Sequence, residues 1–206
     1  VQQVEPRKYR LRILNGCNDR VLGISFSGGG FAQIGTDNGF LNRVVYYGPN
    51  QPLLIAPGER LDILVDFTQW AFGSEVVLRN AGDIGDGTVP LADVDDVIMK
   101  FSISLPLAVP TLGNGAIRNT SYRAVPFAIT SPVLQTRKLG MFERIDAYGR
   151  MVMKLGTRTS AYAFDDPITE VVAENTTEIW ELHNFGGMMH PMHLHLVNFQ
   201  VLNRYS

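Results

Sequence analysis

Leu61, Ile63, Val65 and Phe67 are apolar, and Asp62 and Asp66 stand between them. A two-residue period puts the two sets on opposite sides of an extended backbone, which describes a half-buried strand. The same period recurs at Tyr9, Leu11 and Ile13 against Arg10 and Arg12, and again at Val97, Met99, Phe101 and Ile103. Val21–Phe26, Leu53–Ala56 and Glu75–Arg79 read as further, shorter strands. No stretch sustains a 3.6-residue period. Twenty glycines and eleven prolines are scattered between the runs, as tight turns between short strands require. Residues 1–105 therefore read as an all-β domain, a sandwich.

The turns follow from composition. Asn15-Gly16 and Asp37-Asn38-Gly39 are turn signals. Gly28-Gly29-Gly30 invites a phosphate-loop reading, but no helix follows it, and a flexible hairpin turn is the better reading. Ala81–Asp96 carries five aspartates; their spacing does not match a calcium-binding EF-hand loop, so it reads as a solvated loop. From Pro106 to Thr136 prolines and glycines punctuate the chain without alternation, as in an interdomain linker crossing a surface. Strands are expected to resume at about Met141. Asp146–Gly149 makes a hairpin turn between Phe142–Ile145 and Met151–Lys154. Ile168–Ala173, Thr177–Leu182 and Met192–Leu202 read as later strands, with a turn at Ala173–Thr176. A sandwich needs about seven strands and residues 137–206 offer about five, so a second domain is expected to be incomplete.

Charge and cysteine content exclude several classes. The formal net charge is −2 and no basic stripe is visible, so nucleic acid is not an expected partner. No run of about eighteen apolar residues could span a membrane. The start, Val1-Gln2-Gln3-Val4-Glu5-Pro6, lacks a basic and then apolar leader, so no signal peptide is expected there. Beginning at Val1 suits a processed product or a fragment. Cys17 is the single cysteine, which excludes an intramolecular disulfide. Asn119-Thr120-Ser121 and Asn175-Thr176-Thr177 match the glycosylation acceptor pattern, a triplet that arises easily by chance.

Chemistry concentrates near the C-terminal end. Three of the four histidines, His190, His193 and His195, fall within Met189-His190-Pro191-Met192-His193-Leu194-His195. Neutral imidazole is the commonest protein ligand for copper, zinc and iron. On a strand His193 and His195 project together, their Cα atoms roughly 6.6 Å apart. His190, three residues earlier and before Pro191, has the opposite parity, so one short run can reach two sites. A mononuclear zinc or iron site using an H-x-H strand would need a third ligand, for which the chain offers His183 or carboxylates. His183 alone reads as an exposed or structural histidine. Met188, Met189 and Met192 could supply thioethers to copper, but methionine is also a common core filler.

Taken in order, these segments resemble the multicopper oxidases of the laccase, spore-coat laccase and bilirubin oxidase branch. Arg10–Asn15, Ile34–Leu41 and Ala56–Asp62 are similar to that family's middle domain. Asp166–Glu170 and Thr177–Leu182 are similar to the opening of its third domain, and His190-Pro191-Met192-His193-Leu194-His195 resembles its H-P-x-H-x-H copper motif. The resemblance implies cupredoxin-like Greek-key β-sandwiches, one complete and one truncated. Residues 1–105 would be the middle domain, 106–136 a linker, and 137–206 the N-terminal half of the copper-binding third domain. It implies His190 as a type 1 copper ligand where electrons enter, His193 as a type 2 ligand and His195 as a type 3 ligand. The implied partners are a small-molecule reducing substrate, phenolic or related, and dioxygen, which is reduced to water at a three-copper cluster. The implied compartment is secreted, periplasmic or spore-coat. The H-x-H pairs of a first domain and the downstream H-C-H segment are absent, so the missing parts of the same oxidase are partners too, and the isolated chain is expected to be inactive. Cys17 has no neighbouring histidine and is expected to be a small buried residue. A mononuclear zinc or iron enzyme and a copper-free cupredoxin-fold structural or binding protein remain the alternatives.

Overall fold

The computed structural model of the chain describes residues 1–49, 51–80, 96–109, 115–117, 122–124 and 128–205. The aspartate-rich stretch before Asp96 and the Asn119 triplet lie outside them. The chain divides into two units, Val1–Phe127 with Pro191–Phe199, and Ala128–His190 with Gln200–Ser206.

In the first unit nine strands are described: β1 (Gln2–Val4), β2 (Lys8–Leu14), β3 (Leu22–Phe26), β4 (Phe31–Thr36), β5 (Gly39–Tyr47), β6 (Leu53–Ile55), β7 (Arg60–Asp66), β8 (Glu75–Asn80) and β9 (Val97–Ile103). They form one sheet in the order β1-β9-β8-β3-β6 and another in the order β2-β7-β4-β5. Ile24, Phe26, Ile55, Val76, Phe101 and Ile103 from the first sheet share one buried cluster with Phe31, Leu61, Ile63 and Val65 from the second. Two sheets are thus packed face to face, the sandwich anticipated from alternation. Phe67 is fully buried at the end of β7, where Asp66 caps a single 3₁₀ turn over Phe67–Gln69. Ile117 and Tyr122 cover Ala32, Ile34 and Val44 on the outer side of the second sheet, and Arg123 donates to the Phe40 and Asn38 carbonyls.

Three expectations for this unit need correction. Gly28–Gly30 does not join two paired strands: β3 and β4 lie in different sheets, so the turn carries the chain across the sandwich. In β9 Phe101 and Ile103 are buried but Val97 and Met99 are exposed, because only the later half of the strand faces the shared core. Cys17 is exposed. Asn15 is the buried residue there; its side chain donates to the Arg20 and Ile55 carbonyls and accepts from the Cys17 N–H, leaving the following residues outside.

The second unit holds one mixed sheet in the order β12-β11-β10-β13, built from β10 (Val133–Ile145), β11 (Met151–Thr157), β12 (Ala161–Tyr162) and β13 (Thr177–Asn184). Strands therefore resume at Val133, not at Met141. Parallel pairing to β13 holds the first half of β10, where Gln135–Lys138 is too polar to show alternation. The hairpin turn at Asp146–Gly149 is as anticipated: Arg150 and Tyr148 N–H groups donate to Asp146 Oδ1, and Gly149 takes φ 78°. Ile168–Ala173 is not a strand; Arg137 claims the Val171 carbonyl and the Glu170 carboxylate, so side chains replace a ladder. Met192–Leu202 is not a strand either, since no described segment pairs with it. Phe142 is the one core-buried apolar side chain described in this unit, while Ile145, Met151, Met153, Leu155 and Leu182 share one exposed face. Among the described residues no helix is long and apolar enough to cross a membrane.

Candidate metal centre

His190 follows β13 through a loop fixed at both ends. Asn184, the last residue of β13, accepts from the Gly186 N–H at 3.0 Å and donates to the Met188 carbonyl at 2.7 Å. Glu143 on β10 accepts from the Gly187 N–H at 3.3 Å and from the Met188 N–H at 3.2 Å. The same carboxylate lies 3.7 Å from His190 Nε2, beyond hydrogen-bond range. That nitrogen is shielded from solvent and has no hydrogen-bond partner. Buried polar atoms are seldom left so, and an imidazole nitrogen in this state fits a metal-ligand position.

His183 sits on β13 opposite Gly140. Its ring stacks on Phe185 at 6.0 Å, and Phe185 stacks on Phe142 at 5.0 Å. His183 Nε2 also lacks a hydrogen-bond partner and lies 3.7 Å from Glu181. It belongs to the aromatic stack of the sheet.

His193 and His195 fall in the first unit. Both are exposed, while Met192 and Leu194 are half-buried. The alternation expected of a strand is therefore kept over these four residues without a strand around them. The two rings stand edge to face, 4.8 Å between centroids, close enough for both imidazoles to serve one metal or two neighbouring ones. At Leu196 the backbone turns, with φ 69°. No three His, Cys, Asp or Glu side chains among the described residues converge as a ready metal cage. The arrangement offers imidazoles to a transition metal but does not complete its coordination.

Glu143 escaped the sequence reading. An acid between Phe142 and Arg144 on an alternating strand looks like a solvent-facing residue, and nothing local signals that a loop forty residues later will fold onto it.

A family described as multicopper oxidase matches residues 127–206. Over 203 residues the chain is 37% identical to a laccase of Bacillus subtilis strain 168, covering 98% of this chain and 37% of that protein. A laccase of Haloferax volcanii is 34% identical over 221 residues, covering 98% of this chain and 34% of that one. Among solved structures, a variant of the McoA multicopper oxidase from Aquifex aeolicus superposes with a TM-score of 0.69 at 28% identity, over 98% of this chain and 43% of that one. The chain spans little more than a third of the length of the curated relatives it matches. Residues 127–206 thus match the multicopper oxidase family, and nearly the whole chain is similar to laccases and to a solved multicopper oxidase.

Proposed function

We propose that the chain serves a laccase-like oxidase as its middle domain (1–105), a linker that ends where β10 begins at Val133, and from there the first half of its third, copper-binding domain. His190 would hold the type 1 copper that receives electrons from a phenolic or related donor, His193 the type 2 copper, and His195 one of the type 3 pair. Copper, when bound, supplies one-electron oxidation of the donor and four-electron reduction of dioxygen to water. The chain's own contribution is positional. The 185–189 loop presents His190 with a shielded, unpartnered ring nitrogen, and the Met192–His195 segment brings two imidazoles edge to face. The observation that carries the reading is the His190-Pro191-Met192-His193-Leu194-His195 run within a chain 37% identical to a laccase.

The mononuclear zinc or iron reading is weaker, because it needs three converging donors and none are found together among the described residues. Metal analysis separates the two. The purified chain, exposed to copper, zinc and iron and then dialysed, is expected to retain copper in preference. Replacing His193 and His195 together by alanine should cut that retention about tenfold or more. With a phenolic donor in an oxygen electrode the 206-residue chain should consume no dioxygen, since it supplies only part of the ligand set. One tightly held zinc or iron per chain would overturn the proposal.

A further inference from the structure

We infer that Glu143 is the positioning residue of His190, coupling the imidazole to the sheet through the loop that carries it. The inference rests on the reading of His190 as a copper ligand. One carboxylate does two things at once. Its Oε2 accepts from the Gly187 N–H, and its Oε1 accepts from the Met188 N–H while facing His190 Nε2. Glu143 lies on β10, which is paired on one side with β11 at Met153. It sits just beyond the last pairing to β13, Met141 with Asn184. The carboxylate thus takes over where the ladder stops, satisfying N–H groups that would otherwise lose their partners. Its side chain is 19% exposed, so water competes poorly for it. Gly186 completes the fit: a Cβ there would overlap the Glu143 carboxylate and push it off the loop. The loop sequence and the strand acid are therefore matched to each other, and the ring inherits its orientation from the sheet.

Hydrogen exchange and ring ¹⁵N spectra of the 206-residue chain at one fixed pH test this. In Glu143→Ala the Gly187 and Met188 amides should exchange about tenfold faster, with β10–β11 protection unchanged. Glu143→Gln, which keeps one acceptor oxygen, should show a smaller increase, and Glu143→Asp, a shorter anchor, an intermediate one. The His190 ring signals should move in Glu143→Gln while those of His183 stay. Unchanged loop exchange, or unmoved His190 signals, would overturn the inference. If Glu143→Ala unfolds the sheet, Gly186→Ala decides instead: it displaces the carboxylate from the loop side and should accelerate the same two amides, and no acceleration sinks the idea. Copper retention by Glu143→Ala and His190→Ala separates this from the functional reading. Retention lowered in both supports both. If His190→Ala retains copper as the unmodified chain does while the loop still loosens in Glu143→Ala, the ligand role of His190 falls and the positioning role stands.

Discussion

Glu178 accepts from Arg137 Nε at 2.6 Å, from Gln135 Nε2 at 2.7 Å and from Trp180 Nε1 at 2.9 Å. Arg137 in turn reaches Glu170 and the Val171 carbonyl, so one arginine, in two ion pairs, ties β10, β13 and the irregular chain before β13 together. The bonds from Arg137 and then Gln135 pull the Glu178 carboxyl down from its ordinary 4.5 to about 2, against the opposing effect of burial. The folded state therefore binds this proton less readily than the unfolded one, and the stabilisation is complete above about pH 4.5 and lost as pH falls toward 2. Melting temperature followed across that window should fall more steeply for the unmodified chain than for Glu178→Gln, the two curves converging at the acid end. Parallel curves would show that the network contributes nothing specific to the carboxylate. At this scale the sequence was only partly legible. The apolar face of β7 was visible because burial follows period two. The burial of Asn15 left no signal, because an asparagine that satisfies three backbone groups follows no pattern, and Cys17 was misjudged, because a lone cysteine invites the guess of burial.

The turn from β3 to β4 shows what an element asks of its residues. It crosses from one sheet to the other while Trp70 lies over it, its indole N–H donating to the Ser27 carbonyl at 2.9 Å. Gly28 takes φ 74°, a conformation costly for other residues. At Gly29 the constraint is contact: a Cβ would overlap the Trp70 ring. Gly29→Ala should destabilise the first unit by about 1–3 kcal/mol, read from urea unfolding, with a shift in tryptophan emission. Combining it with Trp70→Phe should recover part of the loss, and purely additive losses would place the strain elsewhere. The elements that escaped the sequence did so for a shared reason. The first half of β10 is a strand because β13 pairs with it, while Ile168–Ala173 and Met192–Leu202 are not strands because nothing described pairs with them. Pairing partners lie tens of residues away, beyond the reach of local alternation. The histidine run was legible as a motif, but its support was not: Glu143 stands on β10, 45 residues before Met188, and only the fold brings the two together.

At the scale of the molecule the two units differ in kind. The first encloses a core from two sheets; the second presents one sheet whose apolar face is described without a cover. The resemblance to multicopper oxidases lies in the histidine run and in the order of the segments before it, which singly are ordinary. The open face has a consequence for handling the chain. Ile145, Met151, Met153, Leu155 and Leu182 lie exposed on one face across β10, β11 and β13, and β13 is an edge strand whose outer side has no described neighbour. A net charge of −2 provides little mutual repulsion between copies. Light scattering from the purified chain should therefore rise with concentration well before its melting temperature is reached. Met153→Glu with Leu155→Glu, which wets that face and adds repulsion, should suppress most of that rise; scattering that ignores both changes would locate the contact elsewhere. Colloidal behaviour thus becomes a practical readout of the bare sheet: whatever keeps this chain clear in solution is whatever covers β11.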